Sequence, residues 1–401
     1  MRSCVLFTIA SALVLSPRAT ALVLSPHAPA SAARARAVRM NELTRLKDQL
    51  AAVAALRASP AKKGSGADAL WKVSGVDTGE PSFTRLFTHD TWIEYTGRPA
   101  IKRWWSVTIT WPYSTVLKTV VPVSALSSLW AYAIARLPLA LLPRTSPVPM
   151  SLMGTALGLL LVFRTNNSYL RLSEARQLWS DVIILVREIG QGVATALLHD
   201  PRLTDRAAAR AGAANVCKYL AAFAWELQAK LTDADWAADT DVLTTLLPAD
   251  EAEWIGKQRS RPLQLLGAIR RELHDQFRTA NLPPHIHRKL EEDVRQLDAI
   301  VGSCERLFSS PLPPTMSRHI VRCLQLWLMG FPFVLAGTMA PMAVAVWVFV
   351  VSYAFIGIDE VGVQVEQPFE IVPMVSICQL AMANLEETFV NVPPGTFVDN
   401  E

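Results

Sequence analysis

The feature that most constrains this chain is an uncharged stretch of 19 residues, Thr145 to Phe163, bracketed by Arg144 and Arg164. As a helix rising about 1.5 Å per residue, it would cover ~28 Å, close to the ~30 Å hydrocarbon core of a bilayer. The polar, helix-favouring residues 164–190 follow without a break. We therefore predict one helix that crosses a membrane and continues into water. Polar residues at the junction favour the wall of a water-filled space over a lipid anchor.

Composition supports a membrane protein. The chain is 51% hydrophobic and 18% charged, whereas soluble domains are nearer a quarter charged. The apolar residues are concentrated in blocks, which favours membrane spans over one large core. A net charge of +4 is too small to indicate nucleic acid as a partner. The five cysteines form no C-x-x-C pair, so we expect no disulfide framework.

Four blocks are predicted to span the membrane, at about residues 112–135, 145–164, 319–337 and 341–358. The last two belong to a run of 36 uncharged residues, Cys323 to Ile358. One straight helix of that length would measure ~54 Å, so we place a turn at Gly337, Thr338 and Pro341. An even number of spans leaves both termini and the soluble part, residues 172–310, on one side. Basic residues are concentrated on that side.

The soluble part shows helical spacing of apolar residues and no alternating β pattern. The predicted fold class is therefore all-α, with four transmembrane helices whose long extensions form a soluble helical domain. Thr232 to Glu253 is polar, and we expect it to be the most mobile connection.

The two ends of the chain differ in composition from the predicted spans and helical domain between them. Residues 1–40 combine an apolar run after Arg2 with a Ser-, Ala- and Arg-containing segment that lacks acidic residues. This pattern resembles the bipartite plastid presequence of algae with secondary plastids, and the alternative is a plain secretory signal with a disordered tail. Residues 41–95 are interpreted as a linker or an N-terminal arm, beginning with a short helix-prone run. Residues 391–401 form a C-terminal tail.

Three motifs carry a family resemblance. They are PVPMSLMGTALGLLLVFRTNNSYLRLSEARQLW at 147–179, SPLPPTMSRHI at 310–320 and IGIDEVGVQVEQPFEIVPMVSICQLA at 356–381. In this order they resemble the bestrophin family, in the branch with bacterial and thylakoid members. The resemblance covers residues 96–390 and implies a homopentameric channel with one axial pore. It further implies that chloride and other monovalent anions pass through the pore.

The resemblance places a narrow pore neck on the central helix, at four-residue intervals that begin one residue before a proline. Matched at Pro149, the neck positions are Val148, Leu152 and Ala156. A slip of one residue would replace Ala156 by Thr155. The competing interpretation is that these side chains only pack against neighbouring helices.

The resemblance places a second constriction, the aperture, at Leu312. Pro311 and Pro313 flank this leucine, exclude a continuous helix and favour an extended turn before the next helix. Without the resemblance, the same residues are equally typical of a linker.

Acidic residues after the last span, Asp359 and Glu360, raise the question of a cation site. Calcium usually takes six to eight oxygen ligands. The dense acidic run of calcium-activated animal bestrophins is absent here, so we assign no metal site and no cofactor. We expect these acids to pair with Arg164, Arg171 or Arg176 at the membrane edge. The polar and charged residues at that edge are Arg164, Asn166, Asn167, Arg171, Asp359 and Glu360.

The sequence thus favours a passive anion channel that conducts chloride, with bicarbonate as a further candidate. The expected location is a plastid thylakoid membrane, and the expected partners are membrane lipid and further copies of the chain. The alternative is a non-conducting membrane scaffold that holds partners through its helical domain. An enzyme is not indicated, because no catalytic motif occurs and the uncharged blocks lack buried carboxylates and histidines.

Overall fold

The computed structural model describes residues 44–57, 89–111, 114–143, 146–198, 200, 205–232, 240–280 and 282–390. All of them belong to one compact unit, Glu42–Glu401. The predicted presequence, most of the predicted arm and the predicted C-terminal tail lie outside these ranges. Within them the chain is almost entirely helical, and the only β-type contact is an isolated bridge between Ala336 and Met339. The predicted all-helical class is confirmed for this part of the chain.

Thirteen α-helices are found in the described ranges. They are α1 (44–56), α2 (His89–Gly97), α3 (Ala100–Thr110), α4 (Thr115–Arg136), α5 (Pro147–Val193), α6 (Arg206–Thr232), α7 (Asp241–Leu246), α8 (Ala249–Gly256), α9 (Arg261–Thr279), α10 (Pro284–Ser309), α11 (Pro314–Leu335), α12 (Pro341–Glu366) and α13 (Met374–Phe389). Short 3₁₀ segments occupy Leu139–Leu141 and Pro368–Glu370, and a π-helical turn, Ala194–Leu198, follows α5.

The central helix α5 is the long element predicted from the sequence. It spans 47 residues, or ~70 Å, and continues through the polar junction at residues 164–167. Its start is well defined: the Ser146 side chain accepts a hydrogen bond from the Val148 backbone N–H, and Pro147 occupies the first turn. The prediction that the apolar stretch and the polar residues after it form one continuous helix is confirmed.

Three helices of the described part are long and apolar enough to cross a membrane: Val116–Arg136, Pro147–Leu198 and Pro341–Glu366. The region assigned to the third of the four predicted spans, residues 319–337, lies mainly in α11. This helix is not among the three, and its first half carries Arg318 and Arg322.

The predicted turn between the last two blocks is present. Gly337 has a φ of 82°, in the left-handed region where a side chain would be strained. Pro341 then opens α12, where its missing N–H costs no helical hydrogen bond.

The two apolar helices α4 and α12 pack side by side. Ala131, Val344 and Val348 form a buried cluster between them. The Ser128 hydroxyl donates to the Ala345 carbonyl oxygen at 2.9 Å, which adds a polar link across this contact. Such interhelical bonds stabilise apolar helix pairs, because lipid offers a hydroxyl no alternative partner.

The helical domain has a large apolar core. Parts of α5, α6, α9, α10 and α13 contribute to it, with Trp179, Phe223 and Trp225 among its largest fully buried side chains. Helix α1 joins the same core: its residues Leu46 and Leu50 are buried there. The N-terminal arm therefore begins as an integral part of the domain.

The expectation of one mobile polar connection from Thr232 to Glu253 is wrong for its described part. Residues 240–253 contain α7 and most of α8, and Val242, Leu243 and Leu246 are buried in the domain core. The polar residues of this segment lie between apolar ones at helical spacing, which allows one face to be buried.

Candidate functional site

The predicted neck residues lie on one exposed stripe of α5. Val148 is 60% exposed and Leu152 67% exposed, and Thr155 and Ala156 are exposed as well. At about 100° per residue, these four positions fall within roughly 100° of each other around the helix axis. Leu157 is buried on the opposite face. The stripe is therefore largely uncovered by the described part of the chain.

The stripe continues as an uncharged surface along the apolar part of α5. Leu159 and Phe163 extend it, and both are more than half exposed. The Thr155 hydroxyl donates back to the Ser151 carbonyl oxygen at 3.1 Å, so it is partly satisfied by its own helix. Because Thr155 and Ala156 both lie on the stripe, the geometry accommodates either register of the third neck position.

The predicted aperture residue lies in a short non-helical segment between α10 and α11. The structure places Ser310, Pro311, Leu312 and Pro313 in this segment, and Leu312 is half-buried. Pro313 has φ −52° and ψ 120°, an extended geometry, and Pro314 starts α11. The predicted extended turn before the next helix is confirmed.

Arg171 holds this segment to the central helix. Its guanidinium donates to the carbonyl oxygens of Leu307 and Ser310, both at 2.7 Å, and to that of Glu366 at 3.3 Å. A cation is favourable at the end of α10, because the last carbonyls of a helix carry partial negative charge. Of the arginines expected near the acids, Arg171 has backbone carbonyls as its described partners and no acid.

Arg164 forms the ion pair expected at the membrane edge. Its guanidinium bonds to the carboxylate of Asp359 on α12, with side-chain exposures of 5% and 14%. One turn further along α5, the buried Ser168 hydroxyl donates to the Gly362 carbonyl oxygen at 2.9 Å. Together with Arg171 and Glu366, these contacts form a polar ladder between α5 and α12. Ser168 was missed in the sequence, although its spacing of four residues from Arg164 is the available signal.

The other edge residues have smaller roles. Glu360 accepts a hydrogen bond from Gln364 of its own helix at 3.0 Å. Asn166 is exposed and Asn167 is half-buried. Among the described residues, no cluster of three or more His, Cys, Asp or Glu side chains has the geometry to hold a metal ion.

The arrangement matches a known family. The family model described as Bacterial/Fungal Bestrophin protein matches residues 96–387, which include α5, the aperture segment and the polar ladder. The chain belongs to the bestrophin family.

This bestrophin has relatives in chloroplasts and bacteria. It is 28% identical over 314 residues to "Voltage-dependent chloride channel 2, chloroplastic" of Arabidopsis thaliana, covering 75% of this chain and 72% of that protein. It is 30% identical over 224 residues to a voltage-dependent anion channel-forming protein of Ralstonia nicotianae, covering 56% and 70%. Its structure is similar to that of a bacterial bestrophin homolog from Klebsiella pneumoniae, with a TM-score of 0.60 and 25% identity, covering 69% of this chain and all of that one.

Proposed function

We propose that this bestrophin is a passive anion channel, in which copies of α5 surround one axial pore. The observation that carries the proposal is the uncharged stripe of α5, which the described part of the chain leaves largely exposed while the opposite face of the helix is buried. Exposed apolar surface of this kind marks an interaction site. The names of the relatives, as anion and chloride channels, agree with a conducting role.

One chain supplies one such helix, so a closed pore requires several copies. We propose a homopentamer, the assembly implied by the sequence motifs, with Val148, Leu152 and either Thr155 or Ala156 forming successive neck rings. Closed cyclic symmetry would place the same stripe of every subunit on the axis.

We further propose that α11 is the fourth span, beside α4, α5 and α12. Its uncharged part, Cys323–Leu335, has 13 residues and covers ~20 Å, less than a bilayer core. Buried contacts of α11 with α5, through Leu324, Trp327 and Leu328, shield part of its surface from lipid. Four spans leave the helical domain and both chain ends on one side.

Apolar constrictions suit anion conduction because an ion that binds weakly leaves readily. The N-terminus of α5 contributes partial positive charge at the first neck ring, without a fixed cation. We propose chloride as the main permeant ion, with Leu312 as the second constriction. Bicarbonate passage and a place in a thylakoid membrane are part of the proposal and rest on the presequence pattern and the chloroplast relatives.

The test is reconstitution of residues 41–401 into a planar bilayer under a chloride gradient, repeated with bicarbonate replacing chloride on one side. We expect the reversal potential to follow chloride. Leu312→Ala should change halide permeability ratios while the assembly survives. Leu326→Ala is the matched control, since Leu326 is an exposed leucine of α11 away from the aperture.

Two results would contradict the proposed channel with its pore along α5 and Leu312. One is a correctly assembled protein that carries no current under any voltage or anion. The other is a current unaffected by Leu312→Ala and by a charged residue at Leu152. If the intact assembly carries no current, the alternative of a non-conducting membrane scaffold is favoured. Its partners would then be sought by their binding to the helical domain.

A further inference from the structure

The face of α5 opposite the neck stripe is backed by one large side chain, Trp327 of α11. Trp327 is 5% exposed, and its indole N–H donates to the backbone carbonyl oxygen of Met150 at 2.8 Å. Met150 lies between the first two neck positions, Val148 and Leu152, in the first turns of α5. The contact therefore joins α11 to the backbone that carries the neck.

The indole fits because two glycines leave room for it and for Met150. A Cβ atom at Gly154 would lie 3.2 Å from the ring atom Cζ2 of Trp327. A Cβ atom at Gly330 would lie 2.2 Å from the terminal methyl of Met150. Because both helices approach through glycines, the separation of α5 and α11 is set by the indole and the methionine side chain.

Other aromatic rings hold the indole in place. Phe331 stacks on Trp327 with ring centroids 4.8 Å apart and an interplanar angle of 14°. Phe355 of α12 lies 5.3 Å from it. Such contacts fix ring orientation beyond the effect of burial alone. The Trp327 indole that packs against α5 is therefore held in one orientation.

We propose that Trp327 is a positioning residue that sets the distance of α5 from the pore axis, and hence the width of the neck. This inference rests on the proposed channel. Over two turns a helix moves as a stiff rod. A larger or smaller side chain between α5 and α11 therefore moves Val148 and Leu152 by about the same distance as it moves the helix backbone. In a symmetric ring, every subunit contributes the same shift. A few tenths of an ångström separate the radii of chloride and iodide, so small shifts alter selectivity between them.

The direction of each effect follows from the geometry. Trp327→Phe shortens the side chain and removes the indole donor, so α5 relaxes towards α11 and the neck widens. We expect the iodide-to-chloride permeability ratio to rise by about twofold or more. Gly154→Ala adds a methyl group in front of the ring, so α5 moves towards the axis. That ratio should then fall.

Matched controls are available in the same helices. Trp130 also donates its indole N–H to a backbone carbonyl oxygen of α11, that of Met329, at 3.1 Å. Trp130 lies on α4, so Trp130→Phe makes the same chemical change without touching α5. Gly158 lies one turn beyond Gly154, and a Cβ atom there would meet nothing within 4 Å. Neither Trp130→Phe nor Gly158→Ala should change the permeability ratio.

A readout without current separates this inference from the channel itself. Leu152→Cys, in a background with Cys323→Ala, is treated with short bis-maleimides and cross-linking between subunits is measured on gels. Cys323 is replaced because, among the described cysteines, it is the one that is not fully buried. We expect cross-linking by the shortest reagent to decrease with Trp327→Phe and to increase with Gly154→Ala.

The outcomes are distinct. If neither current nor cross-linking is found in the parent protein, the proposed channel fails and this inference fails with it. If the parent conducts and cross-links, but Trp327→Phe and Gly154→Ala match their controls, the channel stands and the positioning role is overturned. The positioning role is also overturned if both variants shift the permeability ratio in one direction. If Trp327→Phe does not assemble, the Gly154 and Gly158 pair decides alone.

Discussion

The buried ion pair between α5 and α12 gives the sharpest quantitative prediction. Asp359→Asn keeps the shape of the side chain and removes its charge, which leaves the Arg164 guanidinium buried without a counterion. Within the described part of the chain, the Nε of Arg164 has no hydrogen-bond partner even with Asp359 present, so few groups could compensate for the lost carboxylate.

The expected cost follows from burial. Removing one partner of a fully buried ion pair costs about 3–5 kcal/mol. Because the Asp359 side chain is 14% exposed, water can reach the site, and we lower the expectation to about 2–3 kcal/mol. Arg164→Met should cost less, since the remaining carboxylate can be hydrated. The double variant should be less destabilised than the sum of the two, by roughly 2 kcal/mol.

The assay is thermal unfolding in detergent, followed by tryptophan fluorescence at one protein concentration and one heating rate. For a chain of this size, about 2–3 kcal/mol corresponds to a fall of roughly 2–6 °C in Tm. Glu253→Gln is the control, because the Glu253–Lys257 pair is exposed, with side-chain exposures of 68% and 70%. That change should shift Tm by less than about 1 °C.

Two results would refute the reasoning. The first is a Tm for Asp359→Asn within about 1 °C of the parent value. The second is strict additivity in the double variant, which would mean that the two side chains do not stabilise one another.

Three further predictions follow from other contacts. Arg171→Lys keeps the charge, but a lysine cannot bind three carbonyls at once, so we expect the segment around Leu312 to shift. Halide permeability ratios should then change as they do in Leu312→Ala. Arg176→Lys is the control, since Arg176 lies at an exposed site of the same helix, and it should leave the ratios unchanged. Leu50→Ala should lower stability by about 2–4 kcal/mol in a melting experiment, against less than about 0.5 kcal/mol for Leu56→Ala, because Leu50 is buried in the domain core and Leu56 is exposed. Burial raises the pKa of the Cys304 thiol to about 12, and the pKa values of two other buried thiols in α6 and α13 are raised for the same reason. The folded protein then holds these protons while the unfolded chain loses them from about pH 8.5, so Tm should fall as pH rises above that value, and less steeply in Cys304→Ala.

Much of the fold was predictable because it depends on neighbours along the chain. The uncharged stretch and the helix-favouring residues after it predicted α5 across the membrane edge, and the structure has one helix there. Gly337 and Pro341 predicted the turn between α11 and α12, since each has a backbone preference that acts locally. The prolines around Leu312 predicted the break before α11 for the same reason.

The side-chain partners were harder to predict. The sequence offered Arg164, Arg171 or Arg176 as partners of the acids, and the structure pairs Arg164 with Asp359. Arg171 instead binds backbone carbonyls, and because every residue carries a carbonyl, composition gives no signal for such partners. The sequence indicated a short helix-prone run at the start of the arm without showing that α1 packs into the domain core. Contacts between helices that are distant in sequence determine both the partners of Arg171 and the packing of α1.

The sequence by itself therefore determined the all-helical class, the long central helix, the break before α11 and the family. Only the tertiary structure decided that Trp327 lies behind the predicted neck residues of α5 and that Asp359 lies beside Arg164. These partners are 177 and 195 residues apart along the chain. Helix formation depends on residues within one or two turns, whereas such contacts exist only after distant helices have packed at a particular depth and rotation.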